Sequence, residues 1–121
     1  MRILPRRKIK AADYTKRWKD LQSLCVQRKT WPDAIKEADK LLTKALKKRG
    51  YKGKTTGERL VAAQHDLKFN EEVWFSHKYY NKIKEDKSID LRKLKKKDVA
   101  MALVGFREAL RDLGALERPH D

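Results

Sequence analysis

The chain has 121 residues, with 32 Lys and Arg against 17 Asp and Glu, a formal net charge of +15, and 40% charged residues beside 40% hydrophobic ones. Its length predicts a single domain around one shared core, and the positive surplus, with a pI near 10.0, points to a polyanionic partner rather than an acidic small molecule. Cys25 is the only cysteine, which excludes an internal disulfide and a cysteine-rich zinc site and favours a reducing, cytoplasmic setting; no run approaches the roughly eighteen apolar residues of a membrane span.

The opening stretch MRILPRRKIKAA contains Arg6, Arg7 and Lys8 and no acid. It lacks the apolar segment of a secretory signal and reads as a basic arm over residues 1–12. A helical domain over 13–114 is expected to follow. From Asp13 to Lys29 the apolar residues Tyr14, Trp18, Leu21 and Cys25 recur at steps of four, three and four, which places them on one stripe of a first helix. A second helix begins near Pro32, whose fixed φ suits the first turn. Its stripe is Ile35, Ala38, Leu41, Leu42, Ala45 and Leu46, and Gly50 ends it.

In the linker YKGKTTGE, Thr55 and Glu58 have the spacing of a capping box, so a short third helix carrying Leu60, Val61, Gln64 and Leu67 should start there. Asn70 is placed to cap a fourth helix, with Glu71 and Glu72 where the helix dipole favours acids. Its apolar content, Val73, Trp74, Phe75, Tyr79, Tyr80 and Ile83, is wider than one stripe, which predicts a helix central in a bundle or shared with a second subunit. Glu85 to Lys97 reads as a polar loop with one helical turn, anchored by Ile89, Leu91 and Leu94. The last helix runs from Asp98 to Gly114 on Val99, Ala102, Leu103, Phe106, Ala109, Leu110 and Leu113, and the tail 115–121 should fray. No run alternates at period two. The predicted fold is an all-α, single-domain bundle of four to five antiparallel helices.

The surplus charge is concentrated. Lys36, Lys40, Lys44 and Lys47 recur at four, four and three and form a ridge beside the apolar stripe, with Lys48 next to it. Lys78, Lys82, Lys84, Lys95, Lys96 and Lys97 belong to a second basic segment, and Arg6, Arg7 and Lys8 to the arm. Such a ridge can follow a phosphate backbone and release its counterions. Lysine at these positions is also simply a good helix former on a wet surface, but a net +15 repels itself and calls for a partner. The preference for lysine over arginine predicts backbone contact rather than base reading. Tyr14, Tyr79 and Tyr80 are expected in packing before base stacking.

The stretches WPDAIKEADKLLTKALKKRGYKGKTTGERL, VWFSHKYYNKIKED and ALVGFREALRDLG, in that order, resemble the HEPN superfamily, small helical bundles found in RNA-cleaving toxins, defence systems and RNA-processing proteins. The resemblance covers roughly two thirds of the chain and implies a homodimer and an RNA partner. Catalytic members carry an arginine, a polar residue and, after a spacer, a histidine at the end of a middle helix. Here Asn81 matches the polar position, Tyr80 stands where the arginine belongs, and Glu85 stands where the histidine belongs. Metal-independent cleavage needs a base near neutral pKa and a cation at the phosphorane, and a tyrosine cannot supply the cation. Arg59 and His65 share the loose arginine-to-histidine spacing but fall on the third helix. His77, one turn before Asn81, reads as a partly buried interface histidine or as part of a cleft with Asn81. No metal site and no cofactor are expected.

The expected function is therefore RNA binding by a non-catalytic HEPN-like protein through its lysine-rich faces, with RNA favoured over DNA. Two alternatives remain at this point. One is a metal-independent dimeric ribonuclease using Asn81, Glu85 and His77. The other is a helical adaptor or antitoxin-like partner, docking another protein through an apolar patch around Trp74 and Tyr79.

Overall fold

A computed structural model describes residues 9–86 and 90–118. Arg6, Arg7, Lys8, Ile89 and His120 lie outside them. The described residues form five α-helices: α1 (Ala11–Gln22), α2 (Trp31–Lys48), α3 (Thr56–Ala63), α4 (Asn70–Glu85) and α5 (Lys96–Asp112). They contain no strand, and no helix among them is long and apolar enough to cross a membrane.

α2 is the central helix. It touches each of the other four, and Trp31, Ala34, Ile35, Ala38, Leu41, Leu42, Ala45 and Leu46 are all buried along it. The stripe expected from the 3.6-residue period is the stripe that is buried. α5 contributes Val99, Ala102, Phe106, Ala109 and Leu110, and α1 contributes Tyr14, Trp18 and Leu21 to the same core. α4 buries only Val73 and Ser76 fully, while Trp74, Phe75, Tyr79, Tyr80 and Ile83 pack partly buried against the core. The wide apolar face of α4 is thus shared between packing and surface, and the central position belongs to α2.

Two glycines stop two helices in the same way. Gly50 and Gly114 have φ of 88° and 79°, a left-handed conformation that costs glycine little. After α2, Gly50 N–H donates to Lys47 O (3.0 Å) and Tyr51 N–H to Leu46 O (3.1 Å); after α5, Gly114 N–H donates to Arg111 O (3.0 Å) and Ala115 N–H to Leu110 O (2.8 Å). Both are Schellman caps, which turn the next side chain back onto the helix. Hence Tyr51 is buried, and so are Ala115 and Leu116. The expected fraying from residue 115 is corrected: the chain stays packed through Leu116.

Four further boundaries differ from the sequence reading, among them α3, which ends at Ala63, before the Gln64, His65 and Leu67 expected on it. α1 begins at Ala11, inside the expected arm, and ends at Gln22, followed by 3-10 turns at Ser23–Cys25 and Arg28–Thr30. The carbonyls that a longer helix would use are taken by side chains: Trp31 Nε1–H donates to Cys25 O (2.9 Å) and the Thr30 hydroxyl to Leu24 O (2.6 Å). Asn70 does not cap α4 with its oxygen. Its Nδ2 donates to Gln64 O (2.8 Å) and Leu67 O (2.9 Å), bracing the α3–α4 turn. α5 starts at Lys96 after a 3-10 turn at Leu91–Lys93, where Asp90 Oδ1 accepts from Arg92 N–H (2.9 Å). Arg28 donates to the carbonyls of Leu91 and Leu94, tying the α1–α2 connection to the turn before α5.

α4 and α5 make the most extensive helix pairing, and a glycine permits it. A Cβ at Gly105 would fall well inside contact distance of Ser76 Oγ and the Glu72 carbonyl. The buried Ser76 hydroxyl donates to Ala102 O (2.6 Å), with Glu72 O (2.9 Å) as its alternative acceptor. Gly105→Ala is expected to destabilise the fold by about 1–3 kcal/mol through overpacking. Urea denaturation checks this as a lower midpoint at an unchanged slope.

Candidate nucleic-acid interface

The outer side of α2 and the inner side of α4 face each other across an open cleft of about 1230 Å³. Lys40, Lys44, Lys47 and Lys48 line it from α2, Lys54 and Arg59 from the α3 end, and Lys78 and Lys84 from α4. The helical period explains the first wall, since residues three and four apart share a face. The capping box explains the position of Arg59. Thr55 Oγ1 accepts from Glu58 N–H (3.1 Å) and Glu58 Oε1 accepts from Lys54 N–H (3.2 Å), which starts α3 at Thr56 and turns its first residues toward α2. The Thr43 and Thr56 hydroxyls then meet at 2.6 Å.

Asp39 is the one carboxylate in the lining. It is 6% exposed, and its Oδ1 lies 3.0 Å from His77 Nδ1. The pair joins α2 to α4. Among the described residues, Lys40 is the one lining cation with an ion pair, to Glu37 at 3.6 Å. Eight cationic side chains therefore share a concavity with one carboxylate that is already engaged. At this spacing the field in the cleft favours a chain of anionic groups over a single acid.

Aromatic side chains line the same space. Trp74, His77 and Tyr80 follow one another along α4, with ring centroids 6.2 Å apart at 72° for the first pair and 6.5 Å apart at 32° for the second. Lys84 Nζ lies 5.7 Å over the Tyr80 ring. Burial pushes the Tyr80 hydroxyl above its ordinary pKa, and the Asp39 charge adds to the rise. The phenol therefore stays neutral at physiological pH and presents no charge to an anion.

The expected basic residues separate into two groups. Lys40, Lys44, Lys47, Lys48, Lys78 and Lys84 come together in the cleft. Lys36 is exposed outside it, as are Lys95 and Lys96. Lys82 faces a different depression beside Asp86, Asp90 and Asp98, and Lys97 lies with Glu71 and Glu72 on another face of α4. Of the motif-like residues, Tyr80, Asn81 and His77 line the cleft and Glu85 does not; Asn81 Nδ2 is 3.4 Å from His77 Nε2. His65 is exposed and not in the cleft lining. Tyr14 is buried, and Tyr79 stacks on Phe75 at 5.8 Å, away from the cleft. Charge spacing does not single out Lys54 or Trp74; the signals for them are the capping box and a tryptophan one turn from His77. Trp74 and Tyr79 are partly buried, and the exposed large hydrophobics among the described residues are Val26, Val61, Phe69, Met101 and Val104.

Two measurements follow from this geometry. His77→Ala strands the buried Asp39 carboxylate and is expected to cost about 1–3 kcal/mol in denaturant unfolding. Burial also raises the pKa of Tyr14 and Tyr79, so with Tyr80 the folded chain holds phenolic protons that the unfolded chain releases near pH ~10. Their contribution is fully present below that pH and is lost as pH rises through the higher folded-state values. Thermal unfolding followed across alkaline pH should show stability starting to fall near the free tyrosine range, with the phenolate absorbance of the folded chain lagging behind it to higher pH. Comparisons of the chain with family models, with curated proteins and with solved structures find no match.

Proposed function

We propose that this is a non-catalytic, HEPN-like RNA-binding protein that holds the phosphate backbone in the cleft between α2 and α4. The observation that carries the reading is the gathering of cations from three parts of the chain around a single paired carboxylate. A surface lysine that serves only solubility has no reason to converge with others across a concavity, because like charges confined together repel. The identity of the cations also matters. Lysine ammoniums neutralise phosphates without reading base edges, so affinity should depend on strand charge more than on sequence.

Binding without cleavage is supported by the site's composition. The family's arginine position is Tyr80, and Glu85, at the histidine position, lies outside the cleft lining. The reading includes a homodimer, as the resemblance implies, and a cytoplasmic setting.

Filter binding of RNA across a salt series tests the function. Affinity should be present at low salt and fall with a log–log slope of about 0.7 per neutralised phosphate for a single strand. Lys47→Ala with Lys48→Ala should weaken binding and flatten that slope by about 0.7 for each phosphate no longer neutralised. Lys97→Ala, on a different face, should leave both unchanged. Absence of RNA affinity at low salt would sink the reading.

A further inference from the structure

The cationic cleft contains aromatic rings that a phosphate backbone alone does not need. Of the three tryptophans, Trp18 and Trp31 are buried in the core, whereas Trp74 is partly exposed and lines the cleft. Tyr80 lines it two helical turns on, and the Asp39 bond holds His77 between them. The two rings and the lysines thus share one surface. A duplex presents phosphates on its outside and stacks its bases inward, so it could use the lysines and would leave the rings idle. A single strand uses both, with unstacked bases laid against aromatic faces and phosphates against ammoniums.

We propose that the cleft is a single-strand site, in which bases stack on Trp74 and Tyr80 while the phosphates are held by Lys44, Lys47 and Lys84. This rests on the RNA-binding reading above and specifies the form of the nucleic acid. Lys84 has a double part. Its ammonium covers the Tyr80 ring at 5.7 Å in the free protein, and its flexible stem lets it move to a phosphate and yield the ring face to a base. The benzo edge of Trp74 lies beside Gly57, where an added Cβ would make ordinary contact at 3.7 Å.

The test uses the full chain with four ligands of equal length: an RNA strand, the same strand lacking its bases, the RNA duplex, and the matching DNA strand. The intact RNA strand should bind roughly 5- to 150-fold more tightly than the abasic one for a single stacked base. It should also quench tryptophan emission, and the duplex should do neither. Trp74→Phe should lose the quench, because Trp18 and Trp31 are buried. Tyr80→Leu should bring the intact strand toward the abasic affinity; if that variant does not fold, the intact and abasic strands compared on the unaltered protein decide the matter.

Equal binding of the intact and abasic strands, or a duplex that competes as well as the single strand, overturns the inference and leaves RNA binding standing. Failure of all four ligands at low salt overturns the functional reading itself. A DNA strand that binds as well as RNA supports the single-strand site and removes the preference for RNA.

Discussion

The bond between Asp39 and His77 is the constraint on which the cleft depends. A carboxylate with so little exposure is costly unless a donor meets it, and the donor here comes from the neighbouring helix. The bond therefore links the core helix α2 to α4 within the lining of the cleft. Ala38, Leu42 and Val73 belong to the core that both helices share, and the lysines face the open cleft. The same bond orients the imidazole, which lies between the Trp74 and Tyr80 rings along α4.

A second constraint sits on the far side of α4. Ser76 and Gly105 let α4 and α5 approach closely, and the hydroxyl satisfies itself on backbone carbonyls within the helix pair. This leaves α4 held on one face by α5 and on another by α2. Its remaining face carries Trp74, Tyr80 and Lys84 toward the cleft. A helix clamped in this way presents these side chains from a regular element rather than a loop.

Much of the bundle is legible in periodicity. The stripe of α2, its glycine stop and the stripe of α5 follow directly from apolar spacing and from the conformations that glycine alone adopts cheaply. The errors arise where side chains compete for backbone groups, a matter of tertiary geometry. Trp31 and Thr30 end α1 early by taking carbonyls, and Asn70 spends its amide on the preceding turn. The C-terminal residues look loose in sequence because a Schellman cap and two buried side chains leave little trace in composition. For the site, the α2 ridge is visible because its cations repeat on one helix. Lys54, Arg59 and Trp74 reach it through the third dimension, and the spread of lysines in the second basic segment over three faces cannot be read from their number.

The crowding of ammonium groups between α2 and α4 also has a thermodynamic side. Lys44, Lys47, Lys48, Lys54, Lys78 and Lys84 bring like charges to the lining of one gap, and their mutual repulsion works against the helix pairing that creates it. Dissolved electrolyte thus acts in two opposite directions: it screens the repulsion and firms the unliganded fold, while it competes for the same groups with any polyanion. The fold should accordingly gain stability as ionic strength rises, and a polyanion seated there would supply the neutralisation that the sequence itself withholds.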